Sequence, residues 1–116
     1  MFGLLLLGAC AKHPSPSCSG DGIATWDEIQ VKVPATVRPE DYPEAARGLP
    51  DTRCVVRMHV DERGEPTKVE PRACPEVFVS AATAVAMRYR FYPLKCDGVA
   101  KEARFDLAVD FRAAGD

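Results

Sequence analysis

Residues 54–60 alternate strictly: Cys54, Val56, Met58 and Val60 fall on one face, and Val55, Arg57, His59 and the following Asp61 on the other. A side-chain period of two marks a half-buried strand, because successive Cβ atoms point to opposite faces of a sheet. Asp61-Glu62-Arg63-Gly64 supplies a turn with glycine where a positive φ is wanted, so residues 65–69 return as a second strand that Pro71 and Pro75 end. Over residues 76–92 the period changes. Phe78, Ala81, Ala82, Val85 and Tyr89 recur at three- and four-residue intervals, which predicts a helix with one face in the core. Arg88 and Arg90 lie in its last turn, where cations suit the carbonyl end, and Pro93 forbids continuation. After a turn through Asp97-Gly98, residues 101–112 alternate again. Ala103, Phe105, Leu107, Val109 and Phe111 are the apolar set, and Glu102, Arg104, Asp106, Ala108 and Asp110 the outward one.

Upstream the pattern is weaker. IQVKVPATV, residues 29–37, alternates but is broken by Pro34, so it predicts no more than an extended edge segment. Asp41, Pro43, Glu44 and Gly48 suit the cap, first turn and stop of a short helix of about two turns. The predicted class is α+β: a three-stranded antiparallel sheet with two helices, in the order short helix, β-hairpin, long helix, final strand, occupying residues 29–114. A strand that follows a crossover helix runs parallel to the strand before it. In an all-antiparallel sheet the last strand therefore sits beside the first, with its far side open.

Composition narrows the function. A chain of 116 residues, 47% hydrophobic, suits one small domain, and a body of this size buries only ~60–70% of its unfolded surface. A formal charge of -2, with basic residues scattered among acidic ones, offers no field for releasing counterions from a polyanion, so nucleic acid is not an expected partner. His13 lies in a polar stretch and His59 on a charged strand face, and no G-x-S-x-G or metal-ligand spacing exists. Cys74-Pro75 precedes a helix without the second thiol of a redox motif. Neither catalysis, a metal nor another cofactor is expected.

MFGLLLLGAC resembles a bacterial lipoprotein signal, in which Leu7-Gly8-Ala9-Cys10 would be the lipobox. The resemblance implies that residues 1–10 are a signal segment and that the Cys10 thiol carries a diacylglycerol, anchoring the chain to a membrane without a spanning helix. It further implies a cell-envelope, periplasmic location. Ala11, rather than aspartate, after Cys10 favours the outer membrane. Residues 11–28, rich in proline, glycine and serine at their start, read as a flexible tether.

The ordered set YPEAA (residues 42–46), VDERG (60–64), YRFYP (89–93), CDGV (96–99) and FDLAVDF (105–111) resembles the TonB C-terminal domain family, the periplasmic part of an energy transducer. The resemblance implies a protein-binding module that takes up an extended peptide, such as a segment of an outer-membrane transporter, as an added strand. Glu102, Arg104, Asp106, Ala108, Asp110 and Arg112 would then mark the receiving edge. The long spacer and inner-membrane helix of a transducer do not occur here, which leaves an adaptor in TonB-type transport as one reading. A structural envelope lipoprotein built on the same fold is the other.

Five cysteines fit an oxidising compartment. With Cys10 lipidated, the other four allow three connectivities. On this topology Cys54 opens the first strand and Cys74 closes the second, at one end of the sheet, whereas Cys96 follows the long helix at the other end. The expected bridge is Cys54 with Cys74, leaving Cys18 for Cys96.

Overall fold

The structure, a computed structural model, describes residues 23–113. Three strands form the main sheet: β2 (Thr52–Val60), β3 (Pro66–Ala73) and β7 (Ala103–Phe111), in the order β3-β2-β7 and antiparallel throughout. The last strand thus lies beside the first, as expected from the direction in which the crossover helix returns the chain. Along β7, Ala103, Phe105, Leu107, Val109 and Phe111 are buried, while Asp106, Ala108 and Asp110 are exposed.

The helix α1 (Glu76–Met87) covers the apolar face of this sheet with Phe78, Ala82, Val85 and Ala86. Phe78 and Phe111 pack at a tilt of 33° with centroids 4.7 Å apart, and Tyr42 meets both edge-on at 5.8 and 6.3 Å. A second aromatic group closes the other end of the core, where Phe91 stands edge-on to Phe105 at 5.0 Å and Trp26 leans over Phe105 at 6.1 Å. Cys54, Val56 and Met58 fill the space between, none more than 1% exposed.

Several boundaries depart from the sequence expectation. The short helix over residues 41–48 does not form. Its place is taken by two 3-10 turns, Pro39–Asp41 and Glu44–Ala46. Pro43 separates them, because it has no N–H to donate and drives Tyr42 into an extended conformation, φ -71° and ψ 123°. The described fold therefore has one α-helix rather than two. That helix ends at Met87 instead of running to Tyr92. Arg90–Phe91 form a short strand, β4, paired with β1 (Val31–Val33), and the Arg90 guanidinium donates to the exposed carbonyls of Met87 and Tyr89 at 2.9 and 2.7 Å.

The turn at Asp97-Gly98 joins β5 (Leu94–Cys96) to β6 (Val99–Lys101), with both turn residues at positive φ, 53° and 83°. This is the requirement of a two-residue hairpin. β3 continues through Pro71 to Ala73; Pro71 is tolerated because β3 is an edge strand and the ladder shifts register beside it, between Val55 and Val56. Finally, the last part of the segment read as a tether is packed. Ala24 is buried, and Trp26–Glu28 form a 3-10 turn under a Thr25 N–H to Glu28 carboxylate bond of 2.8 Å.

The disulfide joins Cys54 to Cys74, with Cα atoms 4.3 Å apart, as expected from the hairpin. Cys96 is disulfide-bonded too, so no free thiol remains among the described residues. Cys10, Cys18 and His13, and with them the lipobox reading, lie outside those residues.

Candidate functional site

The sheet has two edges of different character. β3 carries Pro66 and Pro71, and its ladder to β2 shifts register twice. An incoming strand would find missing donors and an irregular template there. β7 contains no proline, and its nine residues pair with β2 in unbroken register from Thr52 opposite Phe111 to Val60 opposite Ala103. Its far side is the regular edge of the molecule.

Which groups point outward follows from a single contact. The Ala24 N–H donates to the Arg104 carbonyl at 2.7 Å, within a parallel bridge between Ile23 and Arg104. Arg104 therefore directs its backbone away from β2. In a strand the N–H and C=O of one residue share a side and alternate from residue to residue. So Asp106, Ala108 and Asp110 also aim theirs outward, and among the described residues no strand lies on that side of them. Of the six edge residues read from the sequence, these three and Arg104 lie in β7. Glu102 and Arg112 flank the strand.

On the polar face the side chains of this edge are tied back to β2. Arg53 grips Asp110 with two bonds, 2.7 and 3.1 Å, and Arg57 donates to Asp106 at 2.6 Å. The Arg53 guanidinium holds the Asp110 carboxyl below the usual range. Their carboxylates are about half open to solvent, so the pairs contribute little to stability, but they fix the carboxylates over the sheet and leave the backbone edge clear. His59 is half-buried, its Nε2 2.8 Å from Glu70, so its place is on this face rather than in any reactive cluster. The bond from His59, followed by that from Lys68, lowers the Glu70 carboxyl.

Beyond the end of β7 the edge opens into a groove of about 640 Å³, walled by residues 36–39 and Tyr42 on one side and by Asp110, Arg112 and Ala113 on the other. Nothing in the sequence pattern announced it, since the alternation of residues 29–37 is broken at Pro34 and does not continue through Arg38 and Pro39. Their position is set by Asp41. This nearly buried carboxylate accepts both Arg88 terminal nitrogens, at 3.2 and 2.7 Å, and the Arg38 N–H at 2.7 Å, while Arg88 also donates to the Thr36 carbonyl at 3.0 Å. The bond from Arg88, reinforced by the Arg38 N–H, lowers the Asp41 carboxyl to about 2, against the opposing effect of burial.

Among the described residues, no cluster of three or more histidines, cysteines or carboxylates could hold a metal, and no helix is long and apolar enough to cross a membrane. Compared with known proteins, residues 38–113 match the family model described as Gram-negative bacterial TonB protein C-terminal. No curated protein and no solved structure matches the chain.

Proposed function

Because the chain belongs to the TonB C-terminal domain family, whose members are periplasmic protein-interaction domains rather than enzymes, we propose that it is a membrane-anchored adaptor that binds an extended peptide by strand addition along β7. The observation that carries this reading is the run of outward-facing backbone at Asp106, Ala108 and Asp110, regular in register and free of any neighbouring strand among the described residues. Backbone hydrogen bonds would supply the grip and the flanking side chains the selectivity. An outer-membrane transporter segment is the peptide the family suggests.

The anchor would be a lipid on Cys10. From there to Ile23 a fully extended chain covers roughly 45 Å, so the domain would work close to the membrane that holds it. Replacement of Cys10 by serine in the full chain, with labelling by a fatty-acid analogue, tests the anchor: label retained on the variant would remove this part of the proposal.

The edge is tested by titration calorimetry of the full chain against peptides from the periplasmic N-termini of outer-membrane transporters. Ala108→Pro removes an outward N–H and leaves the ladder to β2 in place, so it should abolish binding while keeping the circular dichroism of the parent. Leu107→Pro serves as the contrast: Leu107 turns its backbone to β2 and its side chain to the core, so that change should cost folding as well as binding.

A second reading has one observation in its favour. Ile23 and Ala24 already pair with the edge at Arg104, as they would in an envelope lipoprotein that uses its edge for its own structure. No binding across the panel by a folded protein would favour it.

A further inference from the structure

We propose that the β5–β6 hairpin, with Tyr92 just before it and Lys32 over the Tyr92 ring, is the face of the domain that docks on a phospholipid surface. The inference rests on the lipid-anchor part of the reading above and specifies how the anchored domain sits. Cys96, at the tip of the hairpin, is disulfide-bonded, while Cys54 and Cys74 hold each other. Of the five cysteines in the chain, that leaves Cys10 and Cys18 as partners for Cys96. With the Cys10 thiol acylated, the bridge is Cys18 to Cys96. Cys18 follows Cys10 by eight positions, so the hairpin tip is held within at most about 29 Å of chain from the anchor.

The N-terminal segment also meets the fold at this end. Val60 pairs with Ala103 where the main sheet stops, and Ile23 enters beside the next residue, Arg104. The hairpin base, Leu94 opposite Lys101, stands two residues before Ala103. Phe91 donates at 3.0 Å to the carbonyl of Gly64, in the turn beyond Val60. Thr52 and Phe111 mark the opposite end, the length of β7 away, about 30 Å.

What this end exposes suits a headgroup layer. Directly opposed residues of an antiparallel pair share a face, and every second residue returns to it. Cys96 therefore shares a face with its partner Val99 and with Lys101. Val99 and Tyr92 are the most exposed large hydrophobics among the described residues, at 55% and 51%, and the Lys32 ammonium lies 5.9 Å from the Tyr92 ring centroid. Within the hairpin Lys95 and Lys101 stand against one carboxylate, Asp97, and Glu102 follows its base. An aliphatic side chain and an amphipathic ring enter the acyl boundary, while lysine stems carry their charge out to the phosphates.

The test uses the full acylated chain in vesicles of phosphatidylethanolamine and phosphatidylglycerol, with or without bromine on the acyl chains. Trp26, the one tryptophan in the chain, is replaced by phenylalanine. A reporter is then placed by Val99→Trp or by Leu49→Trp, the latter three residues before Thr52 and 39% exposed. Bromine is expected to quench the reporter at position 99 and to spare the one at position 49. Lys32→Gln or Lys101→Gln should each lower the docked-to-free ratio roughly 5-fold, the effect of one cation near an anionic surface. Peptide mapping of the unreduced chain should recover Cys96 joined to Cys18. Equal quenching at both positions, in chains that float with the vesicles, would overturn the docked face and leave the anchor standing. Recovery of Cys96 joined to Cys10, or chains that do not float with the vesicles, would take down the anchor and the docking together.

Discussion

Replacement of Asp41 by asparagine tests the latch that shapes the groove. In the folded chain the Asp41 carboxyl is lowered from 3.8 to about 2, first by its bond from Arg88. A difference of that size corresponds to ~2.5 kcal/mol of preference for the charged form in the folded state. Arg88 is 29% exposed, so solvent screening reduces the usable figure to about 2 kcal/mol. A depressed folded value means that the unfolded chain takes up the proton first as pH falls. The stabilisation is therefore complete above about pH 4 and is lost as the pH drops through about 2. Urea unfolding of the disulfide-intact protein at a series of pH values from 6 to 2 reads this directly. The parent should lose ~2 kcal/mol more than Asp41→Asn over the interval, and the two curves should converge at its acid end. Arg88→Met serves as the partner in a double-mutant cycle, with a coupling of about 1–2 kcal/mol expected near neutrality. Parallel curves for parent and Asp41→Asn, with no coupling to Arg88, would refute the latch.

Removing the disulfide as Cys54→Ala with Cys74→Ala opens a loop spanning 20 positions and should cost about 3 kcal/mol on the chain-entropy model, read from the urea midpoint. Gly64→Ala should cost more than Gly48→Ala, although both glycines have positive φ, because a Cβ at Gly64 runs into the Phe91 backbone carbonyl whereas one at Gly48 meets open space; roughly 1 kcal/mol is expected for Gly48→Ala, and equal losses in thermal melts would contradict the close approach. Phe78→Ala removes a fully buried ring packed against Phe111 and should lose about 3–5 kcal/mol in chemical unfolding, with a smaller loss indicating that the helix–sheet contact is looser than described.

The sheet was legible because its signals are local and repeat. Period two over residues 54–60 and 103–111 is the same fact as the burial alternation of β2 and β7, and the Cys54–Cys74 bridge followed once both hairpin ends were placed together. The parts that did not show in the pattern are those fixed by long-range partners. α1 ends early since Arg90 and Phe91 find β1, some sixty residues upstream in the chain, whereas the apolar period continues through Tyr89 without any mark of the change. Two 3-10 turns replace the expected short helix since Pro43 outweighs the favourable Asp41 and Gly48 around it. The edge residues could be read from alternation alone, but the groove could not. It depends on Asp41 and Arg88, separated by 47 positions, drawing residues 36–39 toward the end of β7.

The length of the open edge also limits how such a site can work. Asp106, Ala108 and Asp110 each offer one N–H and one C=O outward, so a peptide on this stretch gains at most six backbone hydrogen bonds before it meets Ile23 and Ala24 at Arg104. At a net ~0.5–1.5 kcal/mol apiece, the sum is comparable to the several kcal/mol needed to order an extended peptide and hold it in place. The backbone alone thus gives a weak and sequence-blind grip. Selectivity would have to come from the side chains flanking the strand, and occupancy from keeping both partners at one surface. The proposed lipid on Cys10 would do the second, because confinement raises the effective concentration of the partner without any new contact. Such weakness would suit reversible use: a peptide held by so few bonds would be released as soon as some of them are withdrawn.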